Sequence, residues 1–170
     1  TGTTFVTPSV NTNTTFYAEA ASASTASMFV SLAAGNSFLG NMFDIVALQN
    51  IEVNGFDMNL AAAASTVEVW YRAGSYTGFN LSNAGWTLAG TTTVTGMGSG
   101  ILTPVPMSFT VPVPAGQTYG FYVTQTSGTT YYTNGTTVGA VWVANSDLQL
   151  LQGHGGGYFN LTNSPRCFNG

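Results

Sequence analysis

Thr66-Val67-Glu68-Val69-Trp70-Tyr71-Arg72 alternates at every step, with Val67, Val69 and Tyr71 on one face and Glu68, Trp70 and Arg72 on the other. A period of two marks a half-buried β-strand, because successive side chains leave a pleated backbone on opposite sides. The same period recurs further along the chain. Met107, Phe109, Val111 and Val113 alternate with Ser108, Thr110, Pro112 and Pro114. Tyr119, Phe121 and Val123 alternate with Gly120, Tyr122 and Thr124. Further strands are expected over residues 28–32, 41–46, 87–94, 130–133, 139–143 and 148–151.

Between Ile51 and Leu60 the apolar residues change phase, from Ile51 and Val53 to Phe56, Met58 and Leu60. A bulge at Asn54-Gly55 would produce that shift, since one extra residue reverses the facing of all that follow. Glycine and proline punctuate the pattern at Gly35-Asn36, Ala73-Gly74, Pro114-Ala115-Gly116, Asn134-Gly135 and the run from Gly153 to Gly157. No stretch carries a helical apolar stripe of useful length. Nine or ten short strands with frequent turns predict an all-β fold, a two-sheet antiparallel β-sandwich of jelly-roll kind.

Charge is almost absent. Glu19, Asp44, Glu52, Asp57, Glu68 and Asp147 face only Arg72 and Arg166, giving net charge −4 with no lysine. Charged residues make up 5% of the chain, against roughly 25% in ordinary soluble domains. Hydroxyls and amides fill the polar positions instead. Two cations cannot neutralise a phosphate backbone, so nucleic acid is an unsuitable partner. No run reaches the ~18 apolar residues of a membrane span. Low charge also means weak self-repulsion, which suits dense packing of identical copies outside the cell.

The first 26 residues differ from the sandwich expected over 27–170. They are threonine-rich and extended in character, with Phe5, Val6, Phe16 and Tyr17 among their large apolar residues. An isolated extended segment leaves its backbone to water, so it must pair within its domain, pair with a neighbour, or serve as a tether. Strand addition to a second copy would use Thr14, Thr15, Phe16, Tyr17, Ala18, Glu19 and Ala20 as its core, with identical subunits as partners. Such a head-to-tail contact does not close on itself and propagates into a fibre.

The chemistry of catalysis is hard to assemble. His154-Gly155-Gly156-Gly157 matches the oxyanion loop of lipases, but no Gly-x-Ser-x-Gly elbow accompanies it and His154 is the single histidine. The run reads as a glycine-rich turn. Catalytic, cofactor-binding and zinc sites are therefore expected to be absent, with one His and one Cys at unrelated positions. A single structural calcium at Asp44, Asp57 or Asp147 stays open, although no Asp-x-Asp-x-Asp loop supports it. Lone Cys167 reads as a small buried hydrophobe or an intermolecular bridge. Trp70, Tyr76, Phe79 and Trp86 could form an aromatic platform for a polysaccharide; they could equally pack over a sheet or against a neighbouring subunit.

Asn41-Met42-Phe43-Asp44-Ile45, Phe56-Asp57-Met58-Asn59-Leu60, Val67-Glu68-Val69-Trp70-Tyr71, Pro114-Ala115-Gly116-Gln117-Thr118-Tyr119, Tyr132-Thr133-Asn134-Gly135 and Ser164-Pro165-Arg166 follow one another in that order. The series resembles β-sandwich modules of large secreted and surface-anchored bacterial proteins. Thr14-Thr15-Phe16-Tyr17-Ala18-Glu19-Ala20 is similar to the last strand of the Ig-like modules that precede such domains. The resemblance implies a sandwich on the cell surface, with an adhesive or structural role and no implied activity. Against that pattern the chain reads as one strand too many at its start and one too few at its end.

Overall fold

The computed structural model describes Ser9 and residues 25–170. Among the described residues fourteen strands run in chain order as β1 (Asn36–Phe38), β2 (Gly40–Ala47), β3 (Ile51–Val53), β4 (Met58–Asn59), β5 (Ala64–Ala73), β6 (Thr87–Thr95) and β7 (Leu102–Thr103). They continue as β8 (Val111–Val113), β9 (Thr118–Gln125), β10 (Thr130–Asn134), β11 (Val141–Ala144), β12 (Leu148–Leu151), β13 (Gly153–Gly157) and β14 (Asn160–Cys167). Every ladder is antiparallel, and the fold is all-β as its alternation predicts.

One ten-stranded sheet dominates, in the order β1-β10-β14-β13-β2-β9-β5-β6, with β12 also on β2 and β11 on β12. The opposite layer is fragmentary: two separate two-stranded ladders, β3-β8 and β4-β7. Between the layers lies the main core. Phe43, Ile45, Val67, Val69, Phe121, Val123 and Leu150 project from the large sheet onto Val53, Met58, Val111 and Val113 of the small ladders and Phe168. Phe56 wedges among them, its ring 5.4 Å from Phe121 and 5.8 Å from both Phe43 and Phe168.

Four sequence expectations need correction. The stretch at 28–32 enters no ladder, although Met28 and Val30 pack on the core while Phe29 is exposed; its alternation describes facing without cross-strand pairing. Of the run from Met107 to Val113 only the last three residues pair. Asn54-Gly55 is no bulge: residues 54–57 lie outside any strand and carry the chain from the β3-β8 ladder to the β4-β7 ladder. Each ladder then sets its own facing.

The fourth concerns Gly153 to Gly157, which forms strand β13 in the middle of the large sheet instead of a turn. Its register on β2 is offset by one residue from that of β12, so β12 and β13 form one strand bulged near Gln152. Close approach explains the composition. A Cβ on Gly153 would sit 1.9 Å from the Met42 carbonyl oxygen, and one on Gly155 would sit 2.7 Å from the Tyr132 ring. Strand β14 was not expected either, because Pro165 and its polar run hide a period of two.

Candidate functional site

Two features stand apart from ordinary packing: an open groove between the layers and a cluster of rings on the outer face of the large sheet. The groove encloses about 1060 Å³. Its floor is Ile45, Leu148 and Leu150 of the large sheet, and one wall is β3 with Phe56. Residues 25–30 form another wall, where Val30 N–H donates to the Gly170 carbonyl at 2.9 Å. β3 is hydrogen-bonded to β8 alone among the described residues, so its second edge carries no ladder. An unpaired backbone edge beside an apolar floor is the geometry that accepts an added strand.

The groove is also anionic. Glu52, Asp57 and Asp147 line it, and neither arginine does. Arg72 lies over the Phe79 ring, 3.3 Å from its centroid, and donates to the Ser75 carbonyl. Arg166 belongs to β14.

The outer face carries the second cluster. Met42, Tyr76, Trp86, Tyr122, Phe159 and Leu161 are buried there, with Trp70 and Phe79 half-buried against them. Residues 74–86 fold across this face as a strap. Asp44 holds one end: its carboxylate accepts from Ser75 Oγ at 2.5 Å and Tyr76 N–H at 2.9 Å. Asn80 holds the middle, its side-chain amide donating to the Leu161 carbonyl while Leu161 N–H donates to the Asn80 carbonyl. Trp86 Nε1–H closes the strap on the Phe79 carbonyl at 3.1 Å.

Burial sets the protonation of this cluster. Desolvation raises Asp44 above the usual carboxylate range, against the opposing pull of Ser75, Tyr76 N–H and Arg72. Tyr76 is raised by desolvation and by the Asp44 charge, and burial lowers His154. A phenol that keeps its proton and a neutral imidazole share a hydrogen bond of 2.8 Å between Tyr76 Oη and His154 Nδ1, its direction set by the imidazole tautomer. This places the histidine in the packing of the strap.

The four aromatic candidates are thus brought together, but not as an open platform. Tyr76 and Trp86 are 2% and 8% exposed, so of the two readings of these rings their burial agrees with packing over a sheet. Trp70 is packed edge-on against Phe159 at 5.2 Å. Phe159 and Leu161 complete the cluster and lie in a region that sequence reading passed over. The partly open aromatic surface is instead a clamp on Glu68, whose Oε2 accepts from Trp70 Nε1 and Tyr158 Oη, each at 2.8 Å.

The assembly strand at residues 14–20 lies outside the described residues, as do all of residues 1–26 apart from Ser9, Thr25 and Ala26. Asp44 is engaged by the strap, and Asp57 accepts from Val105 N–H at 3.1 Å. Among the described residues no three His, Cys, Asp or Glu side chains gather into a metal-ligand set. Cys167 is fully buried, and desolvation pushes its thiol up to about 11, which keeps it protonated and inert. No protein-family model, curated protein or solved structure matches the chain.

Proposed function

We propose that this protein is a non-enzymatic structural subunit of an extracellular bacterial fibre or surface assembly. In this reading residues 14–20 of one copy enter the interlayer groove of the next and pair with the free edge of β3. The observation that carries the reading is the groove itself: an apolar floor, a strand edge unpaired among the described residues, and the chain's own residues 25–30 along one wall. Only four residues, 21–24, separate Ala20 from Thr25, so the two lie at most about 18 Å apart when extended. The donor segment therefore stays close to the body that carries it. Negative-stain microscopy of the full chain beside a copy lacking residues 1–20 tests this. Filaments from the first and single particles from the second are expected; monomers from both would overturn the reading.

A second reading, a polysaccharide-binding or adhesive module, has one observation in its favour. Tyr158 is 42% exposed and Trp70 half-buried, and together they fix the Glu68 carboxylate with its second oxygen unengaged by them. A glycan array with the Trp70→Ala and Tyr158→Ala variants separates it from the fibre reading, since sugar binding would survive deletion of residues 1–20.

A further inference from the structure

We infer that Asn54 is a site of spontaneous deamidation, and that the fold singles it out from the other Asn-Gly pairs of the chain. Three such pairs occur: Asn54-Gly55, Asn134-Gly135 and Asn169-Gly170. The reaction needs the following backbone nitrogen to reach the asparagine side chain, and glycine permits this because no Cβ restricts the backbone. The Gly55 nitrogen gives up its proton to a base in solution and attacks Asn54 Cγ. A C–N bond forms, the Cγ–Nδ2 bond breaks, and the side-chain nitrogen takes up a proton and leaves as ammonia. Water then opens the cyclic succinimide. Its attack at Cγ gives aspartate, and its attack at the residue-54 backbone carbonyl carbon gives isoaspartate, whose chain runs through the former side chain. Water and base are the only co-reactants.

The structure separates the three pairs. Asn54 and Gly55 are both exposed and lie between the β3-β8 and β4-β7 ladders, outside any strand, so rotation toward the attack geometry breaks no ladder bond. Among the described residues no backbone acceptor holds the Gly55 N–H, and a Cβ on Gly55 would meet nothing within 4 Å. The other two pairs are fastened. Asn134 ends β10 opposite Arg166, its Oδ1 accepts from Asn36 Nδ2 at 2.5 Å, and Gly135 N–H donates to the Pro165 carbonyl at 3.1 Å. Asn169 is fully buried; its Oδ1 accepts from Ala34 N–H at 2.9 Å, and its Nδ2 donates to Thr133 Oγ1 and the Phe168 carbonyl, each at 3.0 Å. Both must open locally before they can react. Asn54 lines the groove beside Glu52, Asp57 and Asp147, so its conversion adds a carboxylate to an already anionic wall. Isoaspartate also lengthens the link between the two small ladders by one backbone carbon.

Full-length protein held in mildly alkaline buffer, sampled over days and mapped by mass spectrometry of chymotryptic peptides, tests this. Asn54 should convert first, to a mixture with isoaspartate in excess, while Asn134 and Asn169 react at least about tenfold more slowly. In concentrated urea the three rates should converge, and the rate at Asn54 should rise with pH because the attacking nitrogen must be deprotonated. Asn54→Gln should abolish the acidic species that accumulates on anion exchange and leave the melting temperature unchanged. Similar rates at all three pairs in the folded protein, or an acidic species that persists in Asn54→Gln, would overturn the inference. A rate difference that survives in urea would overturn it too, since the selectivity would then come from neighbouring residues and not from the fold.

Discussion

Phe159 follows Tyr158 in the tight connection between β13 and β14, with φ at 45°, a left-handed conformation that a bulky residue adopts at a cost of about 1 kcal/mol or more. Its ring is held 5.0 Å from Tyr122 and 5.2 Å from Trp70, and burial of that ring outweighs the strain. Phe159→Gly should therefore destabilise the domain by about 2–4 kcal/mol in urea unfolding, although glycine suits the backbone better. A neutral or stabilising result would show that the outer cluster contributes little. Gly153 poses the opposite problem. The atom that a side chain there would meet is the Met42 carbonyl oxygen of β2, which cannot swing aside. Gly153→Ala is expected to cost at least about 3 kcal/mol or to prevent folding, measured by the same titration with soluble yield as a second readout.

At the scale of elements, the strap over residues 74–86 couples a loop to the large sheet through Asp44 and His154. Because burial lowers His154 in the folded state, the unfolded chain takes up its proton more readily. The stabilisation from neutral His154 is then complete above about pH 6.5 and is lost as pH falls through that value toward the lowered one. Asp44 works in the other direction, since a raised carboxylate favours the folded state as it gains a proton, in the window above its ordinary value of 3.8. The difference in stability between the unmodified chain and His154→Gln isolates the histidine. That difference should shrink between about pH 8 and about pH 5.5, as followed by thermal melts. A constant difference would mean that the imidazole titrates alike in the folded and unfolded chains.

For the whole molecule, the imbalance between layers matters most. Among the described residues a ten-stranded sheet faces two ladders of two strands, and the space between is partly open as the groove. Any strand that fills it binds the folded state alone and stabilises it by mass action. A synthetic peptide of residues 14–20 added to the chain lacking residues 1–20 should raise its melting temperature. At a hundredfold excess over its dissociation constant the gain is about 2.7 kcal/mol. A peptide with Phe16→Asp should give no shift, because the groove floor is Ile45, Leu148 and Leu150. Equal shifts from both peptides would place the binding elsewhere.

Local pattern by itself determined the β class of this protein. Thr66 to Arg72 and Tyr119 to Thr124 became β5 and β9 within a residue or two, because each face met a different environment and alternation records that directly. The scarcity of charge was equally legible. Other features were decided only by tertiary structure. Gly153 to Gly157 reads as a turn because glycine is the commonest turn residue, yet it is a central strand where the Met42 backbone and the Tyr132 ring leave no room for a Cβ. Trp86 and Tyr76 looked available because polar loop residues surround them, and they are buried because Asp44 and Asn80 draw their loop onto the sheet. The groove has no local signature at all. Among the described residues β3 has no second neighbour, and pairing between segments distant in sequence is a property of the assembled sheets that no single stretch of residues encodes.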